Sequence, residues 1–485
     1  MKRLLPVAVA AALVAAAPAA AFTPTDPLAP KQWYLQQDHA FDAWPTPPAT
    51  LAPVKIAIVD SGIDGTLPDF AGRIADSRSF VGGSPTVDTD GHGTFVAGVI
   101  GANLDSTGIV GMAYASQLLI AKVVQPDGGI STTAEAAAIR WAVDDGAQVI
   151  NLSLGGERDP KDPSRDQYSP VEASAVAYAW AHGAVVVAAV GNSDEANARS
   201  WPYASYPAAL PHVIGVGALT KTGGVPDFSN RDPIFNDMSA PGVGIFSTFP
   251  LAQTQLHPTC PDQGYSDCGP PEYLIPEGTS FAAPQVTAAA AMLFASNPSL
   301  TNSQVTEILE STADDVNASN GCAACAVGRD SLSGWGRLDV ARAIAALSQP
   351  LPPPDQYETN DDAGTDAHQF WGKSIPVTAT LDYYDDPVDV YKVALGPGER
   401  LKAKLNASWT GANVSLTLWK PATIHVSGSK VKPGLRAAQS VGSGAAEQLT
   451  YRAKGRGWYY VEVKDASPGF GQYTLNMTKT VVTKR

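Results

Sequence analysis

Positive charge is scarce in this chain: 33 lysines and arginines face 47 aspartates and glutamates, a formal charge of −14 with a pI near 4.9. No basic stripe stands out that would neutralise phosphates, so no nucleic-acid partner is expected. Cysteine is nearly absent, with four in 485 residues, which excludes a disulfide-dense scaffold. Past the N-terminus no apolar run is long enough to cross a bilayer, so no membrane span is expected. An internal repeat of fixed period is also lacking, which argues against a solenoid. What remains is ordinary globular material, 44% hydrophobic and 16% charged, long enough for more than one core.

The N-terminus has a short positive head, Lys2 and Arg3, and an apolar run from Leu4 to Ala17 broken only by Pro6. Ala19, Ala20 and Ala21 follow as small residues suited to a signal peptidase. The pattern predicts a secretory signal over 1–21 and a secreted, extracellular protein of bacterial look. The cysteines form two local pairs, Cys260 with Cys268 and Cys322 with Cys325. Three connectivities are open. Export makes disulfides plausible and proximity favours the local pairs. A zinc site at Cys322 and Cys325 is the weaker alternative, because the other pair has a long spacing and sits in a Pro-rich loop.

From residue 54 short apolar runs alternate with longer helical ones. The runs Val54–Asp60, Leu118–Val124, Val149–Leu154, Val185–Gly191 and Val213–Ala218 read as strands buried on both faces. Helical patterns cover Thr132–Asp145, Val171–His182, Ser280–Ala295, Ser303–Thr312 and Leu338–Leu347. Strand–helix alternation predicts an α/β domain over 54–348, a parallel sheet with helices on both faces, preceded by an arm at 22–53. The segment Gln349-Pro-Leu-Pro-Pro-Pro354 reads as a stiff linker. Beyond it, alternating segments such as Val388–Val393, Val414–Leu418, Trp458–Val463 and Tyr473–Met477 predict a second, smaller antiparallel β-sandwich over 355–485.

Three short motifs carry chemistry. The first strand ends on Asp60-Ser61-Gly62, at the sheet edge where α/β proteins build their sites. Asp90-Gly-His92-Gly-Thr94 sets one of seven histidines between glycines that leave its ring uncrowded. Glu277-Gly-Thr-Ser280-Phe-Ala-Ala-Pro284 opens a long Ala-rich helix with a serine. Alone, the aspartate reads as a turn residue, the histidine as structural and the serine as a helix cap. Together they are an acid, a base and a nucleophile: a serine hydroxyl needs a base, and the base needs an acid to orient it. An esterase of the α/β-hydrolase type, suggested by Gly278-Thr-Ser280-Phe-Ala282, has the wrong chain order, since its serine comes first. A non-catalytic binding protein on the same scaffold is the other alternative, and it should have lost at least one of the three.

In content, spacing and order these motifs resemble the subtilisin-like serine peptidases, over roughly residues 26 to 347. The resemblance implies an endopeptidase in which Ser280 attacks the scissile carbonyl, His92 moves the proton and Asp60 holds the imidazole. It implies an oxyanion donor at Asn192, in the Gly191-Asn192 that ends the fourth predicted strand. Ser153, Leu154 and Gly155 would pair with the substrate backbone, and Gly155 with Ala188–Gly191 would line a small, uncharged pocket for the residue before the cut. The substrate is then a protein or peptide, with broad apolar preference, and the enzyme a monomer.

The arm Thr25-Asp26-Pro-Leu-Ala-Pro-Lys-Gln-Trp33 resembles the mature start of thermitase-like members. It implies a calcium site from Asp26, Asp69 and Asp105; three carboxylates with loop carbonyls suit such a hard ion. Residues 22–53 are too few for the folding pro-domain many relatives carry. Finally, Asp389-Val-Tyr391 and Gly457-Trp-Tyr-Tyr-Val461 resemble the bacterial pre-peptidase C-terminal domain, a β-sandwich often removed after export.

Overall fold

A computed structural model describes residues 22–43, 52–125, 127–193, 200–351, 355–426 and 430–481. The predicted signal segment lies outside the described residues, as do 352–354 of the linker. The first unit is built on seven strands: β1 Lys55–Asp60, β2 Ile74–Ser79, β3 Gln117–Lys122, β4 Val149–Leu152, β5 Val185–Ala189, β6 Val213–Leu219 and β7 Met238–Pro241. Their order is β2-β3-β1-β4-β5-β6-β7, every pairing parallel. The helices are the short α1 Trp33–Gln37 and α2 Ala40–Ala43, then α3 His92–Gly101, α4 Thr132–Asp144, α5 Pro170–Ala181, the short α6 Leu251–Thr254, α7 Thr279–Ser296, α8 Asn302–Ser311 and α9 Val340–Ala346. The expected parallel α/β architecture is the one observed.

Two cores show that both sheet faces are covered. On one face Ile56 and Ile58 of β1 pack with Phe95, Val99 and the apolar length of α7. On the other Ala57 and Val59 pack with Ala138, Ile139, Ala175 and Val176 of α4 and α5. Alternate residues of one strand thus serve opposite cores, which is why β1 is apolar without alternation. Such a sheet leaves its chemistry to the loops at the strand ends, and β1, an interior strand between β3 and β4, delivers Asp60 there.

Two strands at the ends of the strand order escape a hydrophobic reading, β2 because it is polar and β7, though buried throughout, because it is only four residues long. β2, Ile-Ala-Asp-Ser-Arg-Ser, is mostly exposed or half-buried, and charges blunt an edge against unwanted pairing. β7 at the opposite edge ends on Pro241, and proline is tolerated in sheets chiefly at edges.

The second unit holds β8 His368–Phe370, β9 Ser374–Asp382, β10 Val388–Leu395, β11 Glu399–Ala407, β12 Val414–Trp419, β13 Arg436–Val441, β14 Ala446–Arg452, β15 Gly457–Asp465 and β16 Phe470–Val481. They form a five-stranded sheet, β13-β12-β15-β10-β8, and a four-stranded sheet, β14-β11-β16-β9. Inward residues of both, such as Val393, Val461, Leu401 and Leu475, share one core, as a sandwich requires. One pairing departs from the antiparallel expectation: β8 runs parallel to β10. Trp335 of the first unit packs against Tyr384 of the second, ring centroids 4.8 Å apart, and Ser303 Oγ donates to Asp385 at 2.5 Å. Both local cysteine pairs are disulfide-bonded, which removes the zinc alternative at Cys322 and Cys325.

Candidate active site

Asp60 ends β1 with its side chain 2% exposed. His92 is the first residue of α3, and its Nδ1 lies 2.8 Å from Asp60 Oδ1 and 3.0 Å from Oδ2. Two glycines permit that approach. Gly91, at φ +105°, caps α3, and a Cβ there would lie 2.4 Å from the Phe249 ring. A Cβ on Gly93 would lie 2.2 Å from the Gly62 carbonyl oxygen. Any larger residue would push α3 off the strand end that carries the aspartate.

Sequence reasoning missed the residue that ties this corner together. Asp88 is buried; its Oδ1 accepts from Ser61 Oγ at 2.9 Å and Gly91 N at 2.9 Å, and its Oδ2 from Thr94 N at 2.9 Å and Thr94 Oγ1 at 2.6 Å. Ser61 Oγ accepts in turn from Gly93 N at 2.8 Å. One carboxylate thereby binds the loop before His92 to the strand end after Asp60. The signal available was an acid two residues before Asp90-Gly-His92, a position that reads as one more loop aspartate.

Burial alone would pull the His92 imidazole below its ordinary value. The Asp60 carboxylate, by charge and hydrogen bond, outweighs this with help from Asp90 and Asp88, and the pKa is pushed up to about 9.

Ser280 is the second residue of α7 and half-buried. Its Oγ donates to the Ser153 carbonyl oxygen at 3.1 Å and, among the described residues, not to His92. The histidine and the serine's helix are nevertheless neighbours, since the ring of Phe281 lies 5.6 Å from that of His92. Ser153 Oγ donates to the Ser280 carbonyl at 2.8 Å and accepts from Asn151 Nδ2 at 2.9 Å. Asn151 Oδ1 accepts from Thr287 Oγ1 at 2.9 Å. This buried chain fixes the first turn of α7 against the end of β4.

Asn192 is exposed beyond β5, and its Oδ1 accepts from both Thr279 N and Thr279 Oγ1 at 3.0 Å. These bonds settle which amide atom is oxygen, and leave Nδ2 without a partner among the described residues. The Ser280 N–H lies in the first turn of α7, where amides have no intrahelical acceptor. Gly191 N–H donates to Thr279 Oγ1 at 3.2 Å. Thr279, also missed in the sequence, thus orients Asn192 and anchors the turn before it.

Of the expected substrate-binding positions, Leu154 is half-buried and Gly155 exposed just past the end of β4, while Gly191 stays at the surface. Ala188 and Val190 lie in the core under α4 and α5, so their side chains do not line an open pocket.

The three aspartates expected to bind calcium, one from the arm and two from loops of the first unit, come together around one loop without forming a tight cluster. Asp26 Oδ1 accepts from Asp105 N and Ser106 N, both at 3.1 Å. Asp69 Oδ1 accepts from Ile109 N at 3.3 Å, and its Oδ2 from the Tyr265 hydroxyl at 3.1 Å. Asp26 Oδ2 is buried with no partner. Burial raises the pKa of Asp26 and of Asp69, and the Asp105 charge adds to both. An orphaned buried oxygen among like charges fits a hard cation there. Among the described residues a tighter carboxylate group, Asp355, Glu358, Asp386 and Asp389 with atoms within 4.8 Å, lies in the second unit.

A seven-stranded parallel sheet with an acid ending an interior strand, a base opening one helix and a serine opening another defines a subtilisin-like α/β protein. Residues 52–336 match the subtilase family of the S8 peptidases, and the chain belongs to that family. It is 33% identical to thermitase from Thermoactinomyces vulgaris over 61% of this chain and 93% of that protein. Subtilisin DY from Bacillus licheniformis is 36% identical over 55% of this chain and 85% of its own length. Fervidolysin from Fervidobacterium pennivorans is 32% identical over 71% of this chain, which spans 47% of that protein. A solved protease from Pseudoalteromonas arctica, 25% identical, superposes with a TM-score of 0.53 over 67% of this chain and 99% of its own.

Proposed function

We propose that the chain is a secreted serine endopeptidase that cuts proteins through Asp60, His92 and Ser280. The observation that carries this reading is the Asp60–His92 pair at 2.8 Å beside the helix turn that presents Ser280. In the proposed reaction the Ser280 hydroxyl turns from the Ser153 carbonyl to His92 Nε2, gives up its proton and attacks the scissile carbonyl. The protonated His92 Nε2–H then gives that proton to the leaving amine, the scissile C–N bond breaks, and water repeats the sequence on the acyl-enzyme. Asp60 on Nδ1 fixes the tautomer that leaves Nε2 as the base. Asn192 Nδ2 and the Ser280 N–H hold the developing oxyanion. Ser153, Leu154 and Gly155 offer backbone groups past the end of β4 to an extended substrate, and Gly191 borders the pocket before the cut. A fluorophosphonate probe should label the parent protein and leave a folded Ser280→Ala variant unlabelled, and casein should be digested only by the parent. Equal labelling of both proteins would place the nucleophile elsewhere.

The oxyanion assignment makes its own prediction. Asn192→Ala should keep the fold and lose on the order of 100-fold or more in kcat, a magnitude known from subtilisin itself. Unchanged turnover on a small peptide substrate would end the assignment.

Calcium is proposed as a brace between the N-terminal arm and the loop around Asp105, held by Asp26, Asp69 and Asp105. When bound it supplies positive charge against these carboxylates. Saturating calcium at about 100 times its Kd stabilises by roughly 2.7 kcal/mol, about 4 °C of melting temperature for a unit of roughly 300 residues. Chelation should lower the melting temperature of the parent by that amount and that of Asp105→Ala by clearly less. Equal drops in both proteins would remove the site from this loop.

We further assign residues 54–348 to the peptidase domain, with an arm at 22–53 and a signal at 1–21. Residues 355–485, after the linker 349–354, form a sandwich of the pre-peptidase C-terminal type. Mass spectrometry of the exported protein tests the signal directly, by whether its first residue is Phe22.

A further inference from the structure

The shortage of positive charge is not spread evenly. Residues 355–485 hold 16 lysines and arginines against 13 aspartates and glutamates, whereas the rest of the chain holds 17 against 34. Folding sharpens the contrast, because Asp382, Asp389, Glu447, Glu462 and Asp465 of the second unit are all buried.

On β11 the sequence Arg400-Leu-Lys402-Ala-Lys404 alternates, with Leu401 and Ala403 fully buried and the three cations exposed. Side chains two residues apart on one strand face stand about 7 Å apart, so the cations form a row along the strand. Arg452 of β14 is paired directly with Arg400 and is also exposed. Like charges opposite one another destabilise a sheet, and none of the four takes part in a salt bridge among the described residues. The flanking outward positions are uncharged: Gln448 and Thr450 on β14, and Thr474, Asn476 and Thr478 on β16. At the far edge β9 adds exposed Ser374, Pro376 and Thr378.

This is a sheet face on which unopposed cations run between rows of hydroxyl and amide groups. We propose that it is a docking surface for an extended anionic polysaccharide, whose acidic groups meet Arg400, Lys402, Lys404 and Arg452 and whose hydroxyls meet the threonines, asparagine and glutamine. The outward positions of β11, β14 and β16 named above hold no aromatic ring on which a nucleobase could stack. They hold no large apolar side chain to enter a bilayer either. The strongly acidic first unit would be turned away from the same polymer by its own charge, which orients the molecule with its candidate active site free. A sequence reading averages these cations into a chain of net charge −14; only the period of a strand gathers them.

The test uses the full chain. Dextran sulfate beads should retain it at low salt and release it as salt rises, while neutral dextran should not hold it. Replacing Lys402 and Lys404 with Gln should weaken retention roughly tenfold and flatten its salt dependence, because two contacts with the polyanion are lost. Hydrolysis of a small peptide should be unchanged by those two substitutions, which also shows that the variant is folded. Loss of binding to dextran sulfate in the parent, or undiminished binding in the folded variant, would overturn the proposal. So would tighter binding to single-stranded DNA or to phosphatidylglycerol vesicles than to dextran sulfate, which would assign the face to another partner.

Discussion

Replacing Ser280 with Ala is expected to abolish peptide hydrolysis while leaving the fold and its melting temperature essentially unchanged. The side chain is half-buried, and its hydroxyl makes one protein hydrogen bond, to the Ser153 carbonyl. That carbonyl lies where β4 gives way to a loop and can take a water in its place, so the loss is within about 1 kcal/mol. Alanine is also the best helix former for the first turn of α7. The chemical consequence is far larger. Without the hydroxyl no acyl-enzyme forms, and only Asn192 Nδ2, the Ser280 position's N–H and substrate binding remain to favour the transition state. In subtilisin itself, removing the serine costs on the order of 10⁶ in kcat, and the same scale is expected here. Steady-state hydrolysis of a chromogenic peptide, with active sites counted on the parent by fluorophosphonate, measures it. A folded variant within tenfold of the parent would require a different nucleophile.

How far the sequence alone leads depends on how each residue is held. The central strands were legible because burial on both faces demands unbroken apolar runs. β2 and β7 were not, because β2 is a polar edge strand and β7, though buried, is a four-residue run interrupted by Ser239 and ended by Pro241. Asp60, His92 and Ser280 stand in short glycine-flanked motifs, and glycine marks the places where backbone must come within contact distance of a neighbour. Asp88 and Thr279 work through hydrogen bonds to groups brought close only by the fold, so nothing in their local sequence separates them from ordinary turn and cap residues. The aspartates proposed to hold calcium lie between these cases. Their convergence on one loop is visible in the structure, whereas their spacing, Asp26, Asp69 and Asp105, carries no signal without the resemblance. The cationic row on β11 has a clear period of two, yet charge summed over the whole chain conceals it.

The sharpest test of the acid comes from Asp60→Asn, which exchanges a carboxylate for an amide of the same shape. The carboxylate does two things to His92. It accepts from Nδ1 at 2.8 Å, which leaves Nε2 free as the base, and it raises the imidazole to about 9 against the opposing pull of burial. An asparagine amide can instead donate to Nδ1 and stabilise the tautomer whose proton sits on Nε2, the wrong end for catalysis. A loss on the order of 10⁴ in kcat is expected from that change, as in other triads. The pH dependence gives a second readout that a merely structural role would not move. In the parent kcat/KM should climb with pH until the free imidazole loses its proton near 9. In Asp60→Asn the largest opposition to burial is gone and only Asp90 and Asp88 still raise the imidazole, so the residual activity should reach its plateau at a lower pH than in the parent. For stability the sign runs the other way. A histidine raised in the folded state contributes stability that is fully present below about 6.5 and fades as pH rises through about 9. The parent should therefore lose melting temperature across that window, and Asp60→Asn should show a flatter curve there. If the variant kept the parent's rise in kcat/KM up to pH 9, the group titrating would not be the imidazole that Asp60 holds, and the acid of this site would have to be sought elsewhere.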